Sequence, residues 1–369
     1  MVRPASGAIQ IAIEVMQLTK QIILRLFYTM KINYRTYNLK FRHPFTISRG
    51  TKTHQPTFVL ELQHLRWQGY GEAPAIAYYH IPVEKMIEDL ESKKIFVEKF
   101  AFTEPERWWH YCHHLFPNNS FLVCALDIAG WDLYGKMKGK PLMDFWKAEP
   151  PKDPRCDYTI GIDTIEKMVE KLKEKPWPIY KIKLGTDNDV EIVEQLRKHT
   201  DSIIRIDANA AWKAEEALEK IKIFKDLGVE FIEQPLAKDD WEGMKWLFER
   251  SPLPLYADEA CVHENDVEKC YNHFHGINIK LTKCSGITPA LRMIKRAREL
   301  NLGVMIGAMN ESTLGSAAIA HLMPLIDYVD ADGPLLLEED IATGLTYEND
   351  GRIITSNEPG LGINLQTPF

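Results

Sequence analysis

The chain has 369 residues, of which 45% are hydrophobic and 26% are charged. This mixed composition is typical of an ordinary enzyme and excludes a disordered chain or a fibre. The formal net charge of -7 argues against the basic face that sequence-independent nucleic-acid binding needs, so no nucleic-acid partner is expected. The six cysteines are scattered without a Cys-x-x-Cys pair, which predicts a reducing, cytoplasmic location.

Residues 1–29 are predicted to be an N-terminal extension outside the fold. The stretch from Ile9 to Phe27 is fairly apolar, but three charged residues interrupt it: Glu14, Lys20 and Arg25. A membrane span needs about 20 largely uncharged residues, and a secretory signal needs a small-residue cleavage site. Neither is present, so we expect no membrane association. An amphipathic helix on the surface of the fold is the alternative.

Residues 30–150 are predicted to form an α+β capping domain. Runs of alternating or β-branched residues predict a three-stranded antiparallel meander, formed by Ile32–Phe41, Pro44–Ser48 and Thr57–Leu62 and closed by Gly69–Glu72. The spacing becomes helical between Val83 and Gly139. Three prolines in Ala148–Pro154 then indicate a linker.

Residues 151–334 contain eight short apolar runs separated by stretches of helical spacing, which predicts a (β/α)8 barrel of the TIM type. The eight runs are Tyr158–Ile162, Tyr180–Leu184, Ile203–Asp207, Val229–Glu233, Leu255–Asp258, Ile277–Lys280, Gly303–Gly307 and Asp327–Asp332. The fold class is therefore α/β. Residues 335–369 are rich in turn residues and are expected to return to the capping domain.

Five of these runs carry a charged residue at or near their end, in the order Lys183, Asp207, Glu233, Asp258 and Lys280. Any one of them alone could be an ordinary surface residue. Together they recur about every 25 residues, one βα unit each time, and the carboxyl ends of barrel strands meet on one face. Three carboxylates there predict a hard-oxygen site for Mg2+, and the flanking lysines predict two bases that face one carbon.

With these residues the chain resembles the enolase superfamily and, within it, the muconate-lactonizing-enzyme subgroup. The motifs that carry the resemblance are Lys181-Ile-Lys183, Asp207-Ala-Asn209, Glu233-Gln-Pro235, Asp258-Glu259, Asn278–Lys283 with Ser285-Gly286, and Gly69–Glu72. The resemblance implies one Mg2+ per subunit, held by Asp207, Glu233 and Asp258. It also implies acid/base roles for Lys183 and Lys280.

The eighth strand ends in Asp330-Ala-Asp332, two carboxylates on the same side of a strand. These aspartates could simply cap the following turn. They also resemble the D-x-D pair of dipeptide epimerases, where it holds the substrate's α-ammonium. The resemblance implies two-base 1,1-proton transfer through an enediolate, which inverts the C-terminal residue of L-Ala-D/L-Glu-type dipeptides, a reaction of peptidoglycan peptide metabolism.

The same resemblance suggests which residues contact the substrate. Thr159 and Lys181 would meet its carboxylate, and the segment containing Ala308 and Asn310 would line the pocket. Arg49, in the loop from Ser48 to His54, is the candidate for binding an acidic side chain through two hydrogen bonds. A solvated loop charge is the alternative for this arginine.

Other members of the subgroup remain alternatives: an o-succinylbenzoate synthase, an N-acylamino-acid racemase or a muconate cycloisomerase. Two carboxylates on the eighth strand disfavour these, because an N-acylated or wholly anionic substrate would be repelled. Lys280 in place of a His-Asp dyad disfavours an acid-sugar dehydratase. From another class, a non-catalytic metal-binding barrel is possible on the metal ligands alone, but the intact lysines argue against it. A homo-oligomer is expected from the family.

Overall fold

The computed structural model describes residues 16, 30–147 and 152–369. The predicted N-terminal extension, apart from Met16, lies outside the described residues, and so do residues 148–151 of the predicted linker. Three antiparallel strands come first: β1 (Met30–Ile47), β2 (Gly50–His64) and β3 (Trp67–Pro74). Three helices follow: α1 (Val83–Glu98), α2 (Pro105–Leu115) and α3 (Ser120–Lys138).

The first hairpin is longer than the sequence indicates. The Pro44–Ser48 run does not form a strand of its own, because it continues β1 past an irregularity between Lys40 and Phe45. Ser48 and Arg49 form the turn, and Thr51–His54, expected to be loop, belongs to β2. The hairpin therefore reaches the barrel, where Thr46 O accepts a hydrogen bond from Ile162 N at 2.9 Å.

Helix α3 packs against β3 at very short range. A Cβ atom at Gly71 would lie 1.9 Å from Ala125 O, and one at Gly69 would lie 2.1 Å from Ala129 O. Glycine is therefore required at both positions, because any side chain would push the helix away from the sheet. The contact encloses a hydrophobic core that includes Trp108 and is separate from the core of the barrel.

The barrel contains eight parallel strands in sequential order, as predicted: β4 (Tyr158–Ile160), β5 (Ile179–Lys183), β6 (Ile203–Asp207), β7 (Val229–Glu233), β8 (Leu255–Ala257), β9 (Gly276–Ile279), β10 (Gly303–Gly307) and β11 (Tyr328–Asp330). A parallel bridge between Cys156 and Val329 brings the last strand beside the first. The fold class is confirmed as a nearly closed α/β barrel with an N-terminal antiparallel sheet.

Crossover helices connect the strands: α4 (Ile165–Glu174), α5 (Asp189–Arg197), α6 (Ala214–Asp226), α7 (Trp241–Phe248), α8 (Asp266–Cys270), α9 (Leu281–Cys284), α10 (Ile287–Glu299) and α11 (Thr313–Ala320). The elements after the barrel are α12 (Gly333–Leu336), β12 (Ala342–Thr343), β13 (Leu345–Tyr347), β14 (Ile353–Thr355) and β15 (Asn364–Leu365). Among the helices of the described residues, none has the length and apolar character needed to cross a membrane.

The C-terminal segment contacts the elements that precede the barrel. Glu338 N donates to Lys40 O at 2.8 Å, and Leu361 N donates to Asp132 Oδ1 on α3 at 2.8 Å. A second link joins β3 to the barrel: the buried carboxylate of Glu72 accepts hydrogen bonds from Ser312 N and from Gly315 N at the start of α11. These contacts hold the antiparallel sheet over the carboxyl ends of the barrel strands.

Candidate active site

The five charged residues predicted from the strand pattern meet at one end of the barrel. Lys183, Asp207 and Glu233 are the last residues of β5, β6 and β7, and they are paired in register across the sheet. Asp258 directly follows β8, and Lys280 directly follows β9. All five side chains are buried. Because the strands are parallel and in register, equivalent positions in successive βα units share one layer of the barrel.

The three carboxylates form a compact oxygen cluster. Asp207, Glu233 and Asp258 each offer one oxygen, and these oxygens lie within 4.8 Å of one another. Ligands at about 2.1 Å from one Mg2+ are at most about 4.2 Å apart, so closing the cluster around the ion needs only small movements. The residues therefore fit a hard divalent cation, and Asn278 Nδ2, which donates to Glu233 Oε1 at 2.7 Å, orients one of them.

Each of the two outer carboxylates is paired with a predicted acid/base lysine. Lys183 Nζ lies 2.6 Å from Asp207 Oδ2, and Lys280 Nζ lies 2.9 Å from Asp258 Oδ2. Burial alone would raise the pKa of Asp207, but the ammonium groups of Lys183 and Lys181 outweigh it and hold that pKa at about 2. Burial would likewise lower the pKa of Lys280, but Asp258 raises it above its usual value.

The electrostatic environment of Glu233 differs from that of Asp207 and Asp258, the other two predicted ligands. Burial and the negative charge of Asp207 raise the pKa of Glu233 to about 7. Like charges this close disfavour full ionisation. A divalent cation would remove this repulsion, which is further support for a metal at the cluster.

Lys181 lies one layer deeper in the barrel than Lys183, because residues two apart on a strand are roughly 6 to 7 Å apart along it. Its ammonium is fully buried and lies 2.7 Å from Glu233 Oε2 and 2.7 Å from Asp330 Oδ2. Lys181 does not line the cavity, and neither do the predicted metal ligands Asp207 and Glu233. The contact of Lys181 with the substrate carboxylate, which the resemblance implies, stays a prediction.

Strand order places the charged groups on two perpendicular axes. In an eight-stranded barrel, strands four apart in order lie on opposite sides. The lysines, on β5 and directly after β9, therefore face each other across the mouth. Glu233 on β7 is likewise opposite Asp330 on β11. A molecule at the centre would have one lysine on each side, the carboxylate cluster at one end and the eighth-strand aspartates at the other.

The two eighth-strand aspartates are not equivalent, although both line the cavity. The ammonium of Lys181 outweighs the effect of burial and lowers the pKa of Asp330. Asp332 Oδ2 accepts a hydrogen bond from Thr159 N at 2.6 Å, and no described lysine or arginine lies within ion-pair distance of it. Burial and the neighbouring Asp330 raise the pKa of Asp332 to about 7. A cationic partner would therefore stabilise the ionised form of Asp332 more than that of Asp330.

Arg49 is held by the protein itself. Its Nη2 donates to Glu259 Oε1 at 2.6 Å, and its guanidinium lies 4.4 Å from the centre of the Tyr78 ring. Its carboxylate partner, Glu259, lies on the loop after β8. The hydrogen bond ties the hairpin turn to the barrel. The hypothesis that Arg49 recognises an acidic substrate stays a prediction.

A cavity of about 960 Å³ lies between the hairpin and the barrel mouth. Thr159, Ala308 and Asn310 line it, and their contacts with a substrate stay predictions. Lys52 also lines this cavity, and Lys283 Nζ lies 2.6 Å from Asp258 Oδ1, although neither lysine was predicted as a site residue. Lys283 belongs to the Asn278–Lys283 motif, so a sequence signal existed for it. Nothing in the sequence marks Lys52, because its position depends on the length of the hairpin.

A carboxylate cluster between opposed lysines, on the catalytic face of a barrel, defines a metal-dependent enzyme that moves protons at carbon. Comparison with known proteins supports this class of enzyme. Residues 163–368 match the family "Enolase C-terminal domain-like". The chain is 51% identical over 336 residues to the L-Ala-D/L-amino acid epimerase of Flavobacterium johnsoniae, a match that covers 91% of this chain and all of the relative.

Two further proteins show the same relationship. The chain is 37% identical to the L-Ala-D/L-Glu epimerase of Bacteroides thetaiotaomicron, with coverage of 90% of this chain and 88% of that one. A Cytophaga hutchinsonii dipeptide epimerase, solved with Mg and D-Ala-L-Val, superposes with a TM-score of 0.85 at 27% identity, covering 92% and 96% of the two chains. The chain belongs to the enolase superfamily, in the family of dipeptide epimerases.

Proposed function

We propose that this protein is a Mg2+-dependent dipeptide epimerase that inverts the α-carbon of the C-terminal residue of L-Ala-D/L-Glu-type dipeptides. The observation that carries the proposal is the pair of perpendicular axes at the barrel mouth. Lysines on opposite strands suit proton removal and return on opposite faces of one carbon. The names of the relatives, which are epimerases of L-Ala dipeptides, support the substrate class.

Asp207, Glu233 and Asp258 would hold the Mg2+. When bound, the ion would supply positive charge that stabilises negative charge developing at the substrate's α-carboxylate. One of Lys183 and Lys280 removes the α-proton as its neutral amine, and the other, as an ammonium, returns a proton to the opposite face. The stereocentre is thereby inverted, and the two lysines exchange protonation states.

Asp332 anchors the other end of the substrate. The α-ammonium of a dipeptide carries donors that a buried carboxylate can accept, and this charge would lower the raised pKa of Asp332. Thr159 N keeps the carboxylate oriented through its 2.6 Å hydrogen bond. A dipeptide held at both ends places its C-terminal α-carbon between the two lysines.

Proton NMR in D2O tests the proposal directly. Incubation of L-Ala-L-Glu with the protein and Mg2+ should replace the glutamyl α-proton with deuterium and produce L-Ala-D-Glu. The same incubation with EDTA in place of Mg2+ is the control. Absence of exchange with every member of an L-Ala-L-Xaa library would rule out the proposed activity.

Two aspects of the protein's setting are also proposed. All six cysteines are free and buried, which suits a reducing cytoplasm. A homo-oligomer is expected from the family, and sedimentation velocity of the purified protein tests it.

A further inference from the structure

The cavity has one lysine whose charge is not matched by a carboxylate. Four lysine and arginine side chains line the cavity: Arg49, Lys52, Lys183 and Lys280. Three of them are within 2.9 Å of a carboxylate oxygen: Arg49, Lys183 and Lys280. Among the described residues, no carboxylate lies within ion-pair distance of Lys52, whose Nζ donates instead to the neutral Gln55 Oε1 at 2.6 Å.

The position of Lys52 is set by strand pairing and by its hydrogen bond to Gln55. It belongs to β2, where it pairs with Phe45 of β1, so its backbone is part of the hairpin ladder. Gln55 is buried, and its Nε2 donates to Pro56 O and Ala75 O at 2.8 Å each. The amide oxygen of Gln55 is thereby aimed at Lys52. A cation presented from a strand and a fixed amide is well positioned to bind a ligand.

The surroundings of Lys52 favour an anion. Burial lowers the pKa of this lysine to about 8, and the charge of Glu311 opposes that change while Lys183 and Lys280 add to it. The three lysine ammonium groups repel one another, and an incoming carboxylate near Lys52 would relieve the repulsion. Arg49 offers less attraction, because Glu259 already satisfies it at 2.6 Å.

We infer that Lys52 is the specificity-determining cation for the side chain of the substrate's C-terminal residue, which it selects as a carboxylate, while Arg49 positions the hairpin. The inference rests on the proposed dipeptide epimerase activity and deepens it. The α-carboxylate and the α-ammonium are assigned to the metal cluster and to Asp332. The side chain of the C-terminal residue then extends toward the hairpin, where Lys52 meets it.

The test compares kcat/KM for L-Ala-L-Glu and its uncharged isostere L-Ala-L-Gln. In Lys52→Met, a substitution of similar shape, the value for L-Ala-L-Glu should fall about 10- to 100-fold, mainly through KM, while that for L-Ala-L-Gln changes little. Lys52→Glu should shift the preference toward L-Ala-L-Lys. Lys40→Met is the matched control, because Lys40 is an exposed lysine of β1 that pairs with Glu338.

The failures of the two proposals are distinguishable. A wild-type protein that epimerises dipeptides without preferring Glu over Gln, or a Lys52→Met variant that loses both substrates equally, would overturn the role of Lys52 alone. Loss of the Glu preference in Arg49→Met with its retention in Lys52→Met would also overturn it and assign the role to Arg49. A wild-type protein inactive on every dipeptide would overturn the epimerase proposal and this inference with it.

Discussion

The floor and the roof of the cavity are held together in different ways. The floor consists of the ends of β5 to β9, whose charged groups are buried and paired at 2.6 to 2.9 Å, as in Lys183 with Asp207 and Lys280 with Asp258. The roof is the β1–β2 hairpin, where Arg49 has one carboxylate partner and Lys52 has none among the described residues. Dense pairing preorganises groups that react, and a sparsely paired wall leaves charge available for recognition.

Removal of a floor lysine should have the largest effect on activity. Lys183→Ala or Lys280→Ala should lower epimerisation at least about 10³-fold in both directions, because each direction needs one base and one acid. Each variant should keep α-proton exchange from the single epimer whose base remains. Deuterium incorporation into L-Ala-L-Glu and L-Ala-D-Glu measures this separately.

Lys222→Ala is the control for the lysine variants, since Lys222 is exposed and pairs only with Glu219 among the described residues. Its rates should match those of the wild type. Exchange from both epimers in either floor variant would contradict the assignment of two bases.

The metal cluster supplies the next largest effect. Mg2+ at 100 times its Kd should stabilise the wild-type fold by about 2.7 kcal/mol, seen as a higher midpoint of thermal unfolding. Glu233→Gln should lose most of this shift, because one of the three carboxylates that would hold the ion is replaced by a neutral amide. Glu230→Gln, at the other end of the same strand, should keep the shift. A full Mg2+ shift in Glu233→Gln would argue for a metal site elsewhere.

Substitution of an eighth-strand aspartate should have a smaller effect, confined to substrate binding. Asp332→Asn should raise KM for L-Ala-L-Glu about 10- to 100-fold, since a charged hydrogen-bond partner of the ammonium is lost. The same substitution should have little effect on N-acetyl-L-Ala-L-Glu, which has no ammonium. Steady-state kinetics on both substrates is the measurement, and an equal loss on both would remove the anchoring role.

The smallest predicted effect is the pH dependence of the preference for a Glu side chain, which follows from the titration of Lys52 in the roof. Because burial lowers the pKa of Lys52 to about 8, its positive charge is present below that pH and lost above it. The ratio of kcat/KM for L-Ala-L-Glu to that for L-Ala-L-Gln should therefore be constant below about pH 7 and fall several-fold by about pH 9. Taking the ratio cancels the titration of groups that act on both substrates. The ratio in Lys52→Met should be flat, and a flat wild-type profile would exclude a titrating lysine as the source of the preference.

The barrel was predictable because its signal is local. Short apolar runs with helices between them imply parallel strands, and parallel strands bring equivalent ends together, so the cluster of Asp207, Glu233 and Asp258 follows from sequence position alone. The roles of these residues and of the two lysines remain predictions for the experiments above. The hairpin was predicted less well. The runs Ile32–Phe41 and Pro44–Ser48 were predicted as separate strands and Ser48–His54 as a loop, whereas the ladder resumes at Phe45 and continues through Thr51–His54.

Periodicity and residue type were enough to predict the eight βα units, the order of the charged strand ends and the kind of metal that three carboxylates prefer. The pairing of those charges depends instead on the tertiary structure. Closure of the barrel brings Lys181 into contact with both Glu233 and Asp330, and the reach of the hairpin pairs Arg49 with Glu259. Such contacts join residues up to 210 positions apart, and no local pattern records them.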